Sequence, residues 1–215
     1  MILLADLSNN NPEPINWRAM RRDGVYGVLL KVTEGTSFID RTWRERSAAA
    51  RQAGLRVGGY HFAHVNLDPL VQAKLFSETL GKVQRRDLHP ALDLEQESLQ
   101  GARHDPAYIR QWAQSFQRRV HALAGVRALF YTNPGLLSEL RWPEPLGTGA
   151  GLWVADYGPD DGHDHGVQHP IRPWRAWVAH QYTSKGRCTG VTGDVDLSHA
   201  RSRRKVLAHG LRGLP

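Results

Sequence analysis

The sequence predicts an α/β protein built on a single closed barrel with a parallel core, and three observations support this. Short apolar runs alternate with helix-patterned segments along the chain. The first run leads into "DLSNNNPEP" rather than a glycine-rich phosphate loop. Polar side chains gather at the C-terminal end of nearly every run. Alternation of this kind indicates strands joined by helical crossovers. The missing phosphate loop argues against an open doubly wound sheet, and polar strand ends suit a barrel rim, where active sites form.

Eight runs read as strands: 2–8, 25–33, 56–63, 90–95, 127–133, 151–157, 175–183 and 194–198. Their content of Val, Leu, Ile and aromatic residues suits strands buried on both faces. The first five are each followed by a helix, and the last three are joined by loops. Asp68–Pro69 and Asp105–Pro106 start two helices that stop at Gly81 and Gly125, Asn133–Pro134 starts another, and "RTWRERSAAARQAG" closes on Gly54. These are N-cap, first-turn proline and C-terminal glycine signals. Tyr108, Trp112, Phe116 and Val120 form one apolar stripe. The barrel is expected to span 1–198, followed by a helical, basic tail at 199–215.

The chain has 215 residues, a formal charge of +7 and 40% hydrophobic residues, which suits one globular domain with a sizeable core. Its basic residues are scattered, and no zinc-finger or RNP-type motif accompanies them. A nucleic-acid partner is therefore not expected, whereas adsorption to an anionic envelope is. The lone Cys188 excludes an internal disulfide, so folding does not require an oxidising compartment. The opening "MILLADLSNN" has no charged lead and too short an apolar run for a signal peptide or membrane span.

Chemistry is concentrated in "PALDLE". Residues two apart on a strand share a face, roughly 6.6 Å apart at Cα, so Asp93 and Glu95 sit side by side. Paired carboxylates resist double ionisation, which raises one pKa and leaves a proton donor near neutral pH. Glycoside hydrolysis uses such a pair; the alternative is an exposed strand with both acids bonded to Lys or Arg. Other strand ends carry Asp6, Lys31, Glu34, Tyr60, His61, Tyr131, Trp153, Tyr157, Gln181, Tyr182 and Asp196. Each has a plainer alternative. Asp6 could form an Asx turn with Ser8, Asp196 could be a turn residue, Lys31 and Glu34 could be a rim ion pair, and the rings could be core. Alternation sends Tyr60 and Phe62 to one face and His61 to the other.

The segments "ADLSNNN", "INW", "LLKVTEGTSFID", "AGLRVGGYHFA", "ALDLE", "LFYTN", "LWVADY", "AHQYTS" and "GDVDLS", in this order, resemble the glycoside hydrolase family 25 muramidases, the Chalaropsis-type lysozymes of bacteria, fungi and bacteriophages. The resemblance implies a (β/α)5β3 TIM-like barrel that hydrolyses the β-1,4 bond between N-acetylmuramic acid and N-acetylglucosamine in peptidoglycan. It implies Glu95 as general acid and Asp93 as the carboxylate that orients the substrate's N-acetyl group. Asp6 and Asp196 would be the two supporting acids. Tyr60, Tyr131, Trp153, Tyr157, Gln181, Lys31 and Glu34 would contact substrate, with Tyr182 as a further groove ring. No cofactor or metal is implied. His180 stands where the family usually has Trp, with Trp177 as a compensating ring, and Asn9–Asn11 replace a family Gln. The expected setting is a monomer acting on glycan strands, without stable membrane association. As in a phage endolysin, it would be held in the cytoplasm until release, or it would be exported by a non-classical route.

Two rival readings remain. "DDGHDHG" (160–166), His169 and the pair His61 and His64 are metal-capable, which suits a zinc amidase or endopeptidase acting on the same polymer. Gly162 and Gly166 make the stretch read instead as a mobile, solvated loop. The other rival is a non-catalytic wall-binding module on the same scaffold.

Overall fold

Hydrogen bonding of the first strand to both the second and the last closes the sheet into a barrel. The computed structural model describes all residues except 104, 143–148 and 209–215. The strands are β1 (Ile2–Leu7), β2 (Val25–Glu34), β3 (Phe38–Ile39), β4 (Arg56–Phe62), β5 (Ala91–Asp93), β6 (Leu129–Thr132), β7 (Leu152–Ala155), β8 (Ala179–Gly186) and β9 (Val195–Ala200). Around the barrel the order is β1-β9-β8-β7-β6-β5-β4-β2 and back to β1, with β3 a short hairpin on β2. Crossover helices follow the first five barrel strands: α1 (Trp17–Arg22), α2 (Trp43–Gln52), α3 (Pro69–Leu80), α4 (Pro106–Ala124) and α5 (Pro134–Glu139). Caps fall where the sequence puts them. The carboxylates of Asp68 and Asp105 accept from the first-turn amides of α3 and α4, and the Asn133 side chain does so for α5.

The core is not wholly parallel. β9 runs antiparallel to both β8 and β1. The segment between β8 and β9 holds no helix, and a strand returning without a crossover must pair antiparallel. The seventh predicted strand is displaced, from 175–183 to Ala179–Gly186, so Trp177 lies outside it. The expected boundary at 198 also moves. β9 runs on to Ala200, and α6 (Arg203–Val206) turns beneath the barrel. There the His89 amide donates to the Val206 carbonyl and the Ala208 amide to the Asp87 carbonyl, both at 2.9 Å. Val206 is buried. Residues 199–208 therefore close the N-terminal end of the barrel, and the rest of the expected tail, 209–215, lies outside the described residues.

Two apolar layers result. Leu4, Leu29, Ala91, Leu129, Trp153 and Val206 fill the barrel, while Phe76, Trp112, Phe116, Val120 and Phe130 pack between strands and helices. Gly59 is needed for that packing, because a Cβ there would lie 2.4 Å from Val32 Cγ2. His61 faces the outer layer. Its Nδ1 meets the Thr33 hydroxyl at 2.8 Å, its Nε2 meets Gln72 Oε1 at 2.9 Å, and its ring stacks on Phe116 at 4.9 Å. Burial lowers its pKa to about 4, so it is neutral and structural. Phe116 also contacts Phe76 and Trp112. Phe116→Ala is expected to cost about 3–5 kcal/mol, measured as a fall in the denaturant midpoint. Among the described residues no helix is long and apolar enough to cross a membrane.

Candidate active site

β5 ends at Asp93, and the chain stays extended through Glu95 (φ −138°, ψ −173°) before a 3₁₀ turn at Gln96–Leu99. Leu92 and Leu94 are fully buried in the outer layer, so alternation turns Asp93 and Glu95 inward to the C-terminal mouth. The Ser98 hydroxyl accepts from the Glu95 amide at 3.2 Å and fixes the bend. The apolar neighbours thus explain why two acids share one side.

Asp93 is 8% exposed, and its Oδ1 is buried with no hydrogen-bond partner among the described residues. Burial first, then Glu95, raises its pKa well above the usual carboxylate range, with Lys31 opposing. Glu95 is half-buried and raised to about 7, chiefly by burial, then by Glu97 and Asp196. A proton therefore stays on this pair near neutral pH.

Asp6 and Asp196 face each other across β1 and β9. Burial and Asp196 raise Asp6 well above its ordinary value. Burial raises Asp196 to about 6, and its hydrogen bond with Asp6 opposes that rise. The two carboxyls therefore resist ionising together. Asp6 Oδ2 accepts from Gln181 Nε2 at 2.9 Å, and Gln181 Oε1 accepts from the Tyr131 and Tyr157 hydroxyls at 2.7 and 2.5 Å. Gln181 thus joins β1, β6, β8 and the end of β7 in one network. Tyr60 also lies in this interior, where Asp6, Asp93 and Asp196 all act on its hydroxyl. The Asx turn at Asp6 is not formed; Ser8 instead pairs with Asn11.

Lys31 Nζ lies 2.5 Å from Glu34 Oε2, and His64 Nε2 lies 2.9 Å from Glu34 Oε1. The ion-pair alternative for Lys31 and Glu34 is the arrangement that forms, and it places a cation close enough to lower Asp93 and Glu95. Beside Glu95 opens a cleft of about 660 Å³, walled by Tyr131, Asn133, Asp156, Tyr157, His169 and Pro170 among others.

Three aromatic expectations change. Trp153 is 2% exposed, donates to Ser198 Oγ at 3.0 Å and packs edge-on against Tyr131. It is the floor beneath the mouth and does not line the cleft. Tyr182 points outward and stacks on His199. His180 and Trp177 also lie outside the barrel, 5.7 Å apart. The replacement of Trp by His180 therefore removes no cleft wall.

The cleft residues Asn133, Asp156 and His169 were missed. The signal for Asn133 and Asp156 was present, since "TN" and "AD" sit at the ends of β6 and β7, whereas His169 was read only as metal-capable. The zinc ligands do not converge: His61 is bonded to Thr33 and Gln72, and His64 to Glu34. Among the described residues no three His, Cys, Asp or Glu side chains are placed to hold a metal ion. The 160–166 stretch, expected to be a mobile loop, is tied down. Asp160 accepts from Thr183 and Ser184, Asp164 from His199, and Asp156 holds His169 at 2.9 Å.

The raised Glu95 pKa has a stability consequence. A carboxyl raised from 4.5 to about 7 stabilises the fold fully below pH 4.5 and loses that contribution as pH rises through about 7. Above pH 7, Glu95→Gln should unfold at a higher temperature than the parent, with the gap closing toward pH 4.5. Equal melting temperatures throughout would mean that burial does not penalise the ionised form.

The sequence profile of glycosyl hydrolases family 25 matches residues 5–191. Lysozyme M1 of Streptomyces globisporus is 29% identical over 203 residues, covering 85% of this chain but 62% of that protein. The chain thus spans less than two thirds of that relative. The N,O-diacetylmuramidase of Chalaropsis sp is 31% identical over 142 residues, 62% of this chain and 67% of that protein. The crystal structure of the lysozyme from Streptomyces coelicolor superposes with a TM-score of 0.83 at 28% identity, covering 97% of both chains. With the profile match, the barrel topology and these relatives in agreement, the chain belongs to glycosyl hydrolases family 25.

Proposed function

We propose that this protein is a muramidase that hydrolyses the β-1,4 bond between N-acetylmuramic acid and N-acetylglucosamine in peptidoglycan. The observation that carries the reading is the inward pair Asp93 and Glu95, one half-buried carboxyl at about pKa 7 on an open cleft and one buried carboxyl behind it. Family membership and the similarity to a lysozyme and an N,O-diacetylmuramidase supply the substrate class.

Glu95 faces the cleft and gives its proton to the glycosidic oxygen as that bond breaks. The substrate's own acetamido oxygen attacks the anomeric carbon. The acetamido N–H donates to the unpartnered Oδ1 of Asp93, which favours the ionised form there and leaves the pair's one proton on Glu95, so developing positive charge on that nitrogen meets a carboxylate in a low-dielectric setting. Water then opens the cyclic intermediate, with Glu95 taking its proton, and the configuration is retained. Asp6, Asp196 and Gln181 hold the mouth's hydrogen-bond frame and Lys31 balances its charge, while Tyr131 and Tyr157 present ring faces at the cleft wall.

Mass spectrometry of digested peptidoglycan tests the bond, and NMR of the first-formed anomer tests the route. Reducing-end muramic acid with retained configuration is expected. Reducing-end glucosamine, free stem peptides, or an inverted anomer would each overturn the corresponding part.

A further inference from the structure

A second hollow of about 590 Å³ lies on the outer face of β8 and β9, lined by Trp177, Arg175, Arg201, His165, His180 and Asp164 among others. Crossover helices end before this side of the barrel, and the connection between β7 and β8 covers it instead. His169 and Pro170 line both this hollow and the catalytic cleft, so the two cavities lie on opposite sides of one strap.

Its charge is unbalanced. Arg201 lies over the Trp177 ring at 4.1 Å, which holds its guanidinium against the indole face. Neither Arg201 nor the exposed Arg175 has an acidic partner among the described residues. Asp164, the hollow's acid, is already engaged. One oxygen meets His199 Nδ1 at 2.6 Å; the other accepts the Gly166 amide at 2.8 Å and lies 3.4 Å from His180 Nδ1. Two guanidinium forks against one carboxylate that is already hydrogen-bonded, beside an indole face, suit an oxyanion on a carrier with an apolar or sugar-like surface.

We propose that this hollow is an accessory binding site for an oxyanion carried by a polymer lying across the strap. Two sources share that chemistry: the phosphodiester of an anionic wall polymer, and a carboxylate of the stem peptides. Naming these sources rests on the muramidase reading; the binding itself does not.

Calorimetric titration of the full chain tests it with a glycerol-phosphate oligomer and, separately, the free stem pentapeptide. Arg175→Glu and Arg201→Gln are the variants, and their melting temperatures check folding. One anionic probe should bind, weaken with salt, and lose about tenfold or more in affinity in either variant. The probe that does so identifies the source. An uncharged chito-oligosaccharide, which reports on the cleft, should bind parent and variants alike. If neither anion binds the parent, or if both bind Arg175→Glu unchanged, the proposal is wrong. Failure of the muramidase reading would instead appear as missing glycan products while anion binding persists.

Discussion

Glu95→Gln is expected to lower turnover of peptidoglycan by about 10²–10⁴-fold while leaving binding of glycan fragments near the parent value. Glutamine keeps the shape of the side chain and removes the proton that the leaving oxygen needs. The pH profile supplies the independent readout. Glu95 must be protonated to act, and its pKa in the free protein is raised to about 7, so parental kcat/KM should fall as pH rises through that value. The same alkaline limb should be absent from the variant's residual rate. Unchanged turnover would remove Glu95 from the acid role. Binding without turnover in the parent would instead support a wall-binding module.

Asp93→Asn should reduce kcat by about 10²–10³-fold, with a smaller change in KM. Its carboxylate is buried, with one oxygen unpartnered, and an amide there cannot supply the negative charge that the reacting acetamido nitrogen calls for. Effects concentrated in KM would make Asp93 a binding group only. A kcat near the parent would end the substrate-assisted route. Asp93→Asn should also unfold at a higher temperature at neutral pH, because a carboxyl whose folded pKa is raised destabilises the fold once ionised.

Much of the site was legible in "PALDLE" because strand alternation is local: Leu92 and Leu94 go outward, so Asp93 and Glu95 must go in. The same rule left Tyr60 and His61 undecided, since either face of β4 could have been the interior. The helices supplied the answer, because Phe76 and Phe116 take His61 into the outer layer. Aromatic roles were the least legible. Trp153, Tyr157 and Tyr182 look alike in sequence, yet one is floor, one is cleft wall and one is outside the barrel.

By itself the sequence determined the strand–helix alternation, the capped starts of α3, α4 and α5, and the inward direction of the central acids. Each depends on residues within a few positions of one another, where backbone geometry leaves little choice. Only the tertiary structure decided that Asp6 meets Gln181, 175 positions away, and faces Asp196. It also decided that β9 runs antiparallel, that residues 199–208 plug the barrel, and that the 160–166 stretch is pinned by its aspartates. Those outcomes follow from barrel closure, which brings chain-distant groups into contact and which no local pattern encodes.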